Sequence, residues 1–276
     1  MVSLKTRNAA DGLITKDAYD QCVFNKKCTG GNQTTIVLHV DDLLVTNANE
    51  SNLDAFYSYL KGVYKERRIV RGKVLDYVGM SFDFTVPGEA KVAMANCIND
   101  ILGDGEDRKE ATTPASSTLF DIRPATKATT EENKWFHSAT AKVLYVVKRV
   151  WQECLTAVAF LSTRVNECDQ DDLSKLKRLH GYMKRTRERG IVLRIGEHMR
   201  VRAYIDAAYG VHQQSDKSHI GCSIVLGDDG PLNNKSTKQK VVTKSSTEAE
   251  IVGLSDTASP DMHANLLTKP VQRGEV

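Results

Sequence analysis

Two apolar, β-branched runs flank a pair of adjacent carboxylates early in the chain. The first run is Thr34–Val40 and the second is Leu43–Thr46, with Asp41 and Asp42 between them. Each run has the composition of a strand and is too short for a helix of ordinary length. The two-residue connection predicts a tight hairpin with both aspartates at its tip, held on a buried two-stranded platform.

The paired aspartates allow two interpretations. Asp tolerates the left-handed backbone that such a turn needs, so a solvated surface turn is the simpler one. Like charges this close also repel, which raises the cost of ionising both carboxylates. A divalent cation removes that cost, and hard oxygen ligands are those that Mg²⁺ selects. The almost wholly apolar flanks of Asp41 and Asp42 favour the metal-binding interpretation.

Hydrophobic spacing predicts a helix, a hairpin and a short helical segment after this stretch. Asn49 or Ser51 is placed to cap the helix. The hairpin joins residues 77–84 to residues 91–94 and closes at Pro87-Gly88. The short helical segment after the hairpin runs from Ile98 to Leu102. The apolar positions of the first helix are Leu53, Phe56, Leu60 and Val63.

Residues 103–134 are rich in Gly, Asp, Thr, Pro and Ala, which is typical of a linker. Helical spacing then resumes, and its apolar positions are interpreted as core faces without a cofactor: Trp135, Phe136, Leu144, Tyr145, Val147, Leu155, Val158, Phe160 and Leu161.

A further helix runs from Asp171 to Arg189, with leucines down one side. Its cations are interpreted either as a solvated face or as a surface for the phosphate backbone. The candidate nucleic-acid residues are Lys177, Arg178, Lys184 and Arg185.

Residues 200–206 alternate cleanly and place Val201, Ala203 and Ile205 on one face, so Asp206 is predicted to end this strand on the opposite, polar face. Residues 220–226 predict the next strand, residues 228–230 a turn, and residues 239–243 a third strand.

The stretch after these strands opens a helix in one of two capping registers. Ser245 with Glu248, or Thr247 with Glu250, fits the S/T-x-x-E box. Only one register can hold. If Ser245 is the cap, Glu248 is occupied and Glu250 is free for another role.

Strings along nearly the whole chain resemble one family. They are the Val-Asp-Asp hairpin, LTAVAFLS, KLKRLHGYMKRTRERGIVL, YIDAAYGVH, TKSSTEAEIVGLSD and LLTKP. Together they resemble the reverse transcriptase and ribonuclease H region of copia-type LTR retrotransposon Pol polyproteins. That resemblance implies RNA-directed DNA synthesis and cleavage of the RNA strand, with RNA template and RNA–DNA hybrid as partners. It also implies that Asp41, Asp42, Asp206 and Glu250 are catalytic Mg²⁺ ligands in two-metal sites.

The implied fold is α/β (α+β), a partial palm and thumb with a connection region, followed by a truncated ribonuclease H-like domain. The expected regions are a partial palm with a thumb remnant at 1–102, a linker at 103–134, a helical connection at 135–195 and the ribonuclease H remnant at 196–276, with an internal deletion near 257–260.

The sequence also departs from the family pattern. His39 replaces an aromatic residue, and Asn265 stands where the family has an aspartate. A third polymerase aspartate, expected well upstream of the hairpin, has no counterpart in the segments before Asp41. We therefore expect neither activity from this chain. The alternatives are a non-enzymatic nucleic-acid-binding remnant and a translated pseudogene.

Composition adds little to this picture. The net charge of +3 is too small to argue for a polyanion partner by itself. The six cysteines form no C-x-x-C pair, so neither a zinc site nor a disulfide framework is predicted. No apolar run reaches the roughly 20 residues of a membrane helix, and no secretory signal is visible. We expect an intracellular protein, cytoplasmic or nuclear, without a membrane partner or a small-molecule cofactor.

Overall fold

The computed structural model describes residues 14–64, 68–103, 109–194, 200–226 and 230–258. Helices and strands are mixed along them, which confirms the α+β class. The chain divides into two compact units between Met80 and Ser81. The finer division into four regions stays a prediction. Among the described helices, none combines the length and the apolar character needed to cross a membrane.

The first unit contains a four-stranded antiparallel sheet, in which each strand pairs with the next along the chain. Its core includes Ile36 and Phe56, and Asn49 caps the helix by accepting a hydrogen bond from the Ser51 backbone N–H at 3.0 Å. The predicted first helix is confirmed, although Val63 is exposed. The elements are β1 Ile14–Lys16, β2 Val23–Lys27, β3 Gln33–His39, β4 Asp42–Thr46, α1 Glu50–Val63 and β5 Val74–Tyr77.

The boundary between the units falls inside β6, Met80–Asp83. The predicted strand 77–84 is broken, because Val78 and Gly79 both have positive φ. Beyond the break the predicted hairpin forms, with β6 antiparallel to β7, Glu89–Ala93, around Gly88. The predicted short helix is present as α2, Ala95–Leu102.

Three helices build the main core of the second unit. They are α3 Thr130–Val147, α4 Leu155–Ser162 and α5 Gln170–Arg185, and a strand, β8 Gly190–Arg194, pairs with β7. Helix α3 begins inside the predicted linker because Thr129 and Glu132 form a capping box. The predicted core faces are largely confirmed, but Trp135 and Tyr145 are 39% and 38% exposed and lie outside the core.

The remaining elements are β9 Val201–His212, β10 Lys217–Leu226, β11 Pro231–Lys238 and α6 Ser246–Ala258. The strands form a three-stranded antiparallel sheet in the order β11-β10-β9. The predicted third strand at residues 239–243 is wrong, because the strand lies earlier, at Pro231–Lys238. Residues 228 and 229 of the predicted turn lie outside the described residues. Helix α6 packs on the sheet where Gly253 faces Ile205, Ala207 and Ile220.

Candidate functional site

The hairpin between β3 and β4 turns one residue earlier than predicted. His39 pairs with Asp42, so the two connecting residues are Val40 and Asp41. The prediction that Asp41 and Asp42 share the tip is therefore wrong, since Asp42 is the first residue of β4. Successive residues of a strand point to opposite faces, so the shift decides which side of the sheet Asp42 occupies.

Val40 takes an unusual backbone conformation at this tip. Its φ is +56°, and its side chain is 78% exposed. A left-handed backbone costs a β-branched residue roughly 1–2 kcal/mol. Backbone strain of this kind is concentrated at functional sites in proteins, so the outlier marks the hairpin tip as a site of interest.

The sheet that carries the aspartates has four strands, not two, and its burial is uneven. Thr34 and Ile36 are buried, whereas Asp41 and Asp42 are exposed. The Tyr77 hydroxyl donates to the Val37 carbonyl oxygen at 3.2 Å. Burial raises the pKa of Tyr77, and the nearby Asp42 carboxylate raises it further. Tyr77 therefore remains a neutral donor beneath the hairpin.

The second pair of candidate carboxylates lies on β9 and α6. Asp206 is exposed and pairs with Gly221 of β10. The prediction that Asp206 ends its strand is wrong, because β9 continues through Ala207 to His212. Alternation still places Asp206 on the face opposite to Ile205 and Ala207, as predicted.

Helix α6 begins in the first of the two capping registers. The Ser245 hydroxyl accepts from the Glu248 backbone N–H at 3.1 Å, and the Glu248 carboxylate accepts from the Lys244 backbone N–H at 2.6 Å. Glu248 is thereby occupied, and Glu250 is left outside the cap. The prediction that a Ser245 cap occupies Glu248 and leaves Glu250 out of the cap is confirmed.

Glu250 has a partner of its own, in the strand that carries Asp206. Its carboxylate accepts a hydrogen bond from the Ala207 backbone N–H at 3.2 Å. Among the described residues β9 is the end strand of its sheet, so this amide points away from β10. Glu250 thus contacts the residue that follows Asp206 in the chain, and one of its oxygens already satisfies an amide at the sheet edge.

The carboxylates do not fit the full ligand set of a two-metal site. Within the described ranges, no three His, Cys, Asp or Glu side chains lie together in a way that could hold a metal ion. Each candidate pair supplies two carboxylates. Asn265 lies outside the described residues.

The four cations of α5 surround a close main-chain contact. A Cβ atom at Gly181 would lie 2.3 Å from the Lys109 carbonyl oxygen, so the backbone of residues 109–111 crosses the helix there. The four cations are three or four positions from Gly181 and are its neighbours on the helix surface. Lys177, Arg178 and Arg185 are exposed, Lys184 is half-buried, and Arg178 donates to the Thr113 hydroxyl at 2.7 Å. The crossing segment divides the predicted surface.

Two known proteins resemble this chain. The retrovirus-related Pol polyprotein from transposon RE1 of Arabidopsis thaliana is 26% identical over 227 residues, which is 81% of this chain and 15% of that relative. The corresponding polyprotein from transposon RE2 is 35% identical over 103 residues, or 37% of this chain and 7% of that relative. The chain is similar to the Pol polyproteins of retrotransposons over these stretches. No family model matches it, and no solved structure does.

The family resemblance seen in the sequence is confirmed by these relatives. This chain spans 15% or less of their length. The activities of the whole polyproteins are therefore assigned to this chain only as a proposal.

Sequence patterns missed one buried polar network. His212 Nε2 and His219 Nδ1 lie 3.0 Å apart, His219 Nε2 lies 2.6 Å from Ser236 Oγ, and Ser236 donates to Thr156 of α4 at 3.3 Å. Burial lowers the pKa of both histidines to about 4. The two histidines are therefore neutral, and at most one hydrogen lies between their facing nitrogens.

An aromatic residue from the predicted linker covers this network. Phe120 contacts Phe160, His212 and His219, with ring centroids 5.5, 5.0 and 5.3 Å away. A cavity of about 70 Å³ lies beside His212. The short connection between β9 and β10 was a usable signal, since it predicts that His212 and His219 are close across the hairpin. Nothing local predicts Phe120.

Proposed function

We propose that this chain is a piece of the reverse transcriptase and ribonuclease H region of a copia-type Pol polyprotein, and that it has neither activity in isolation. The ancestral activities are RNA-directed DNA synthesis and cleavage of the RNA strand in a hybrid. The hairpin with Asp41 and Asp42, and the strand–helix pair of Asp206 and Glu250, are the remains of the two catalytic centres.

One observation carries this proposal. Each described carboxylate pair stands without a third acidic or histidine ligand beside it, and Glu250 binds the Ala207 backbone N–H. Two Mg²⁺ ions clamp both the attacking and the leaving oxygen in a phosphodiester displacement, and they need a shared set of several carboxylates. Two carboxylates, one of them partly occupied, make a weak single-cation site at most.

The proposal is tested with two assays on the full chain. Primer extension on an RNA template and cleavage of an RNA–DNA hybrid are measured with Mg²⁺ and with Mn²⁺, and neither is expected above background. Extension that disappears in an Asp41→Asn variant would overturn the first part. Hybrid cleavage that disappears in Asp206→Asn would overturn the second, and so would robust cleavage gained by Asn265→Asp alone.

Non-enzymatic binding of nucleic acid is the second candidate function. It is supported by Lys177 and Arg185, which are exposed on α5 on either side of the crossing segment. Contacts to phosphates position a nucleic acid without reading its sequence. Binding to hybrid and to duplex should then be similar, and its affinity should fall with salt with a log–log slope of about −0.7 to −0.9 per phosphate neutralised.

The double variant Lys177→Glu/Arg185→Glu tests this second function while leaving the Arg178–Thr113 contact in place. Affinity should fall for both nucleic acids, and the salt slope should flatten. The matched control is Lys142→Glu/Lys148→Glu, which makes the same charge change at two exposed positions, one in α3 and one directly after it. Equal loss in both double variants would assign the effect to net charge alone.

A further inference from the structure

A small cavity lies at the His212 end of the buried histidine network. Its volume is about 70 Å³. A single water needs roughly 10–15 Å³ of such space, so a tetrahedral oxyanion fits in it. Phe120 and Phe160 form apolar walls, and the polar lining includes Arg164, His212 and Lys238. These polar groups decide what the cavity can hold.

The hydrogen bonds of the network fix the tautomer of both histidines. Burial lowers the pKa of both rings to about 4, so both are neutral at pH 7. Ser236 donates its hydroxyl hydrogen to Thr156, so its oxygen accepts from His219 Nε2. The neutral His219 then has no hydrogen on Nδ1, which accepts from His212 Nε2. The remaining nitrogen, His212 Nδ1, is therefore a bare acceptor.

This acceptor has no donor among the described residues. Within them, the contact to His219 is the single hydrogen bond of the His212 ring. A buried acceptor that lacks a donor is costly. Because the His212 ring lines the cavity, a molecule that enters it can supply an N–H or O–H to Nδ1.

Lys238 adds an unbalanced positive charge to the same cavity. Its ammonium is close enough to lower the pKa of His212 beyond the effect of burial, and it belongs to none of the ion pairs of the described residues. Arg164 differs, because it already binds Asp169 and Asp172 at 3.4 and 3.0 Å. A ligand thus meets one cation without a counter-charge and one bare acceptor.

We propose that this cavity binds a small oxyanion that still carries a proton, of which hydrogen phosphate is the simplest example. An anionic oxygen of the ion lies against the Lys238 ammonium, and the O–H of the ion donates to His212 Nδ1. Phosphodiesters have no O–H, so the internal phosphates of a nucleic acid do not fit this pattern. The site is therefore independent of the function proposed above, and it uses neither of the carboxylate pairs.

Selectivity between phosphate and sulfate tests this proposal on the full chain. Sulfate has the same shape but no proton at pH 7, so its oxygens would face the lone pair of Nδ1 with no hydrogen between them. Phosphate should shift the imidazole resonances of His212 saturably at constant ionic strength. Sulfate should bind at least about tenfold more weakly, because it leaves the acceptor unpaired. Equal shifts with both ions, or no saturable shift with phosphate, would overturn the proposal.

A charge variant tests the contact with Lys238. Lys238→Gln should weaken phosphate binding by about tenfold in calorimetry, because it removes a charge-assisted hydrogen bond, whereas Lys238→Arg should retain most of the affinity. The matched control is Lys240→Gln, at an exposed position two residues further along the chain, which should bind as the parent does. Unchanged affinity in a folded Lys238→Gln variant would contradict the proposal.

A second variant tests the acceptor by removing the selectivity. The amide of His212→Gln can turn either its oxygen or its NH₂ group toward the ion, so phosphate and sulfate should then bind with similar affinity. Circular dichroism checks that the fold is retained. A folded His212→Gln variant that still prefers phosphate would show that His212 does not read the proton, and the proposal would be wrong.

Discussion

The Glu250 carboxylate and the Ala207 backbone N–H are joined by a hydrogen bond of 3.2 Å across the junction of α6 and β9. One acidic side chain thereby satisfies an amide that the sheet itself leaves without a partner. The same contact fixes the position of Glu250 relative to Asp206.

Removing the Glu250 side chain should expose the Ala207 backbone N–H. Glu250→Ala is expected to cost about 1 kcal/mol of unfolding free energy and to abolish the protection of the Ala207 amide in hydrogen exchange. Glu248→Ala removes a cap instead, so it should cost a similar amount while Ala207 remains protected. Continued protection of Ala207 in Glu250→Ala would show that the contact is not made in solution.

Two helical glycines should respond in opposite directions to alanine. Gly62→Ala in α1 meets nothing within 4 Å and should stabilise the protein by about 0.5–1 kcal/mol, which is the difference in helix propensity. Gly181→Ala in α5 brings its Cβ within 2.3 Å of the Lys109 carbonyl oxygen and should destabilise the protein in chemical denaturation. Stabilisation by both changes would mean that residues 109–111 do not cross α5.

Relief of strain at the hairpin tip should be measurable. Val40→Asn keeps the turn but replaces a β-branched side chain by one that tolerates positive φ, so we expect a gain of about 1 kcal/mol. The control is Val70→Asn, at an exposed position where φ is not positive; it should stay within about 0.5 kcal/mol of the parent. Equal effects of the two changes would remove the case for strain at Val40.

Acid should weaken the second unit through its buried histidine pair. The folded pKa of His212 and His219 is about 4, below the ordinary value of 6.5, so the unfolded chain binds more protons between these values. This stability is present above pH 6.5 and is lost as the pH falls toward 4. Denaturation midpoints measured from pH 7 to pH 4 should decline.

The double variant His212→Gln/His219→Gln should flatten that decline. His137→Gln, at an exposed position of α3, should keep it. An unchanged decline in the double variant would assign the acid sensitivity to other groups.

Local patterns predicted the elements better than the residues at their ends. The leucine face of α5 and the alternation of Val201, Ala203 and Ile205 follow directly from side-chain periodicity, and both are present. The turn at Val40 and Asp41 was missed, because a β-branched residue rarely takes positive φ and the sequence offers no glycine to mark it. Asp206 was placed at a strand end, whereas β10 pairs with β9 through Ala207 and Ala208.

The contacts that sequence could not supply are those between distant segments. Arg178 contacts Thr113, and Phe120 contacts His219, across many residues of chain. Composition predicted a linker at residues 103–134, and residues 109–129 form no helix or named strand. A linker composition nevertheless says nothing about what such a segment packs against. Glu250 illustrates the same limit, since the sequence left two capping registers open and neither pointed to Ala207 as its partner.

Phe120 also bears on where this chain can be cut. Loop tips with small or polar residues are the usual sites of proteolytic nicking and of tolerated insertions, and residues 109–129 look like such a site from their composition. The Phe120 ring nevertheless closes the aromatic cluster over His212 and His219, and Lys175 binds the Asp121 carbonyl oxygen at 2.6 Å. A protease site inserted between Leu119 and Ile122 would therefore resist digestion in the native protein, and separating the polypeptide there would uncover the histidine pair to solvent.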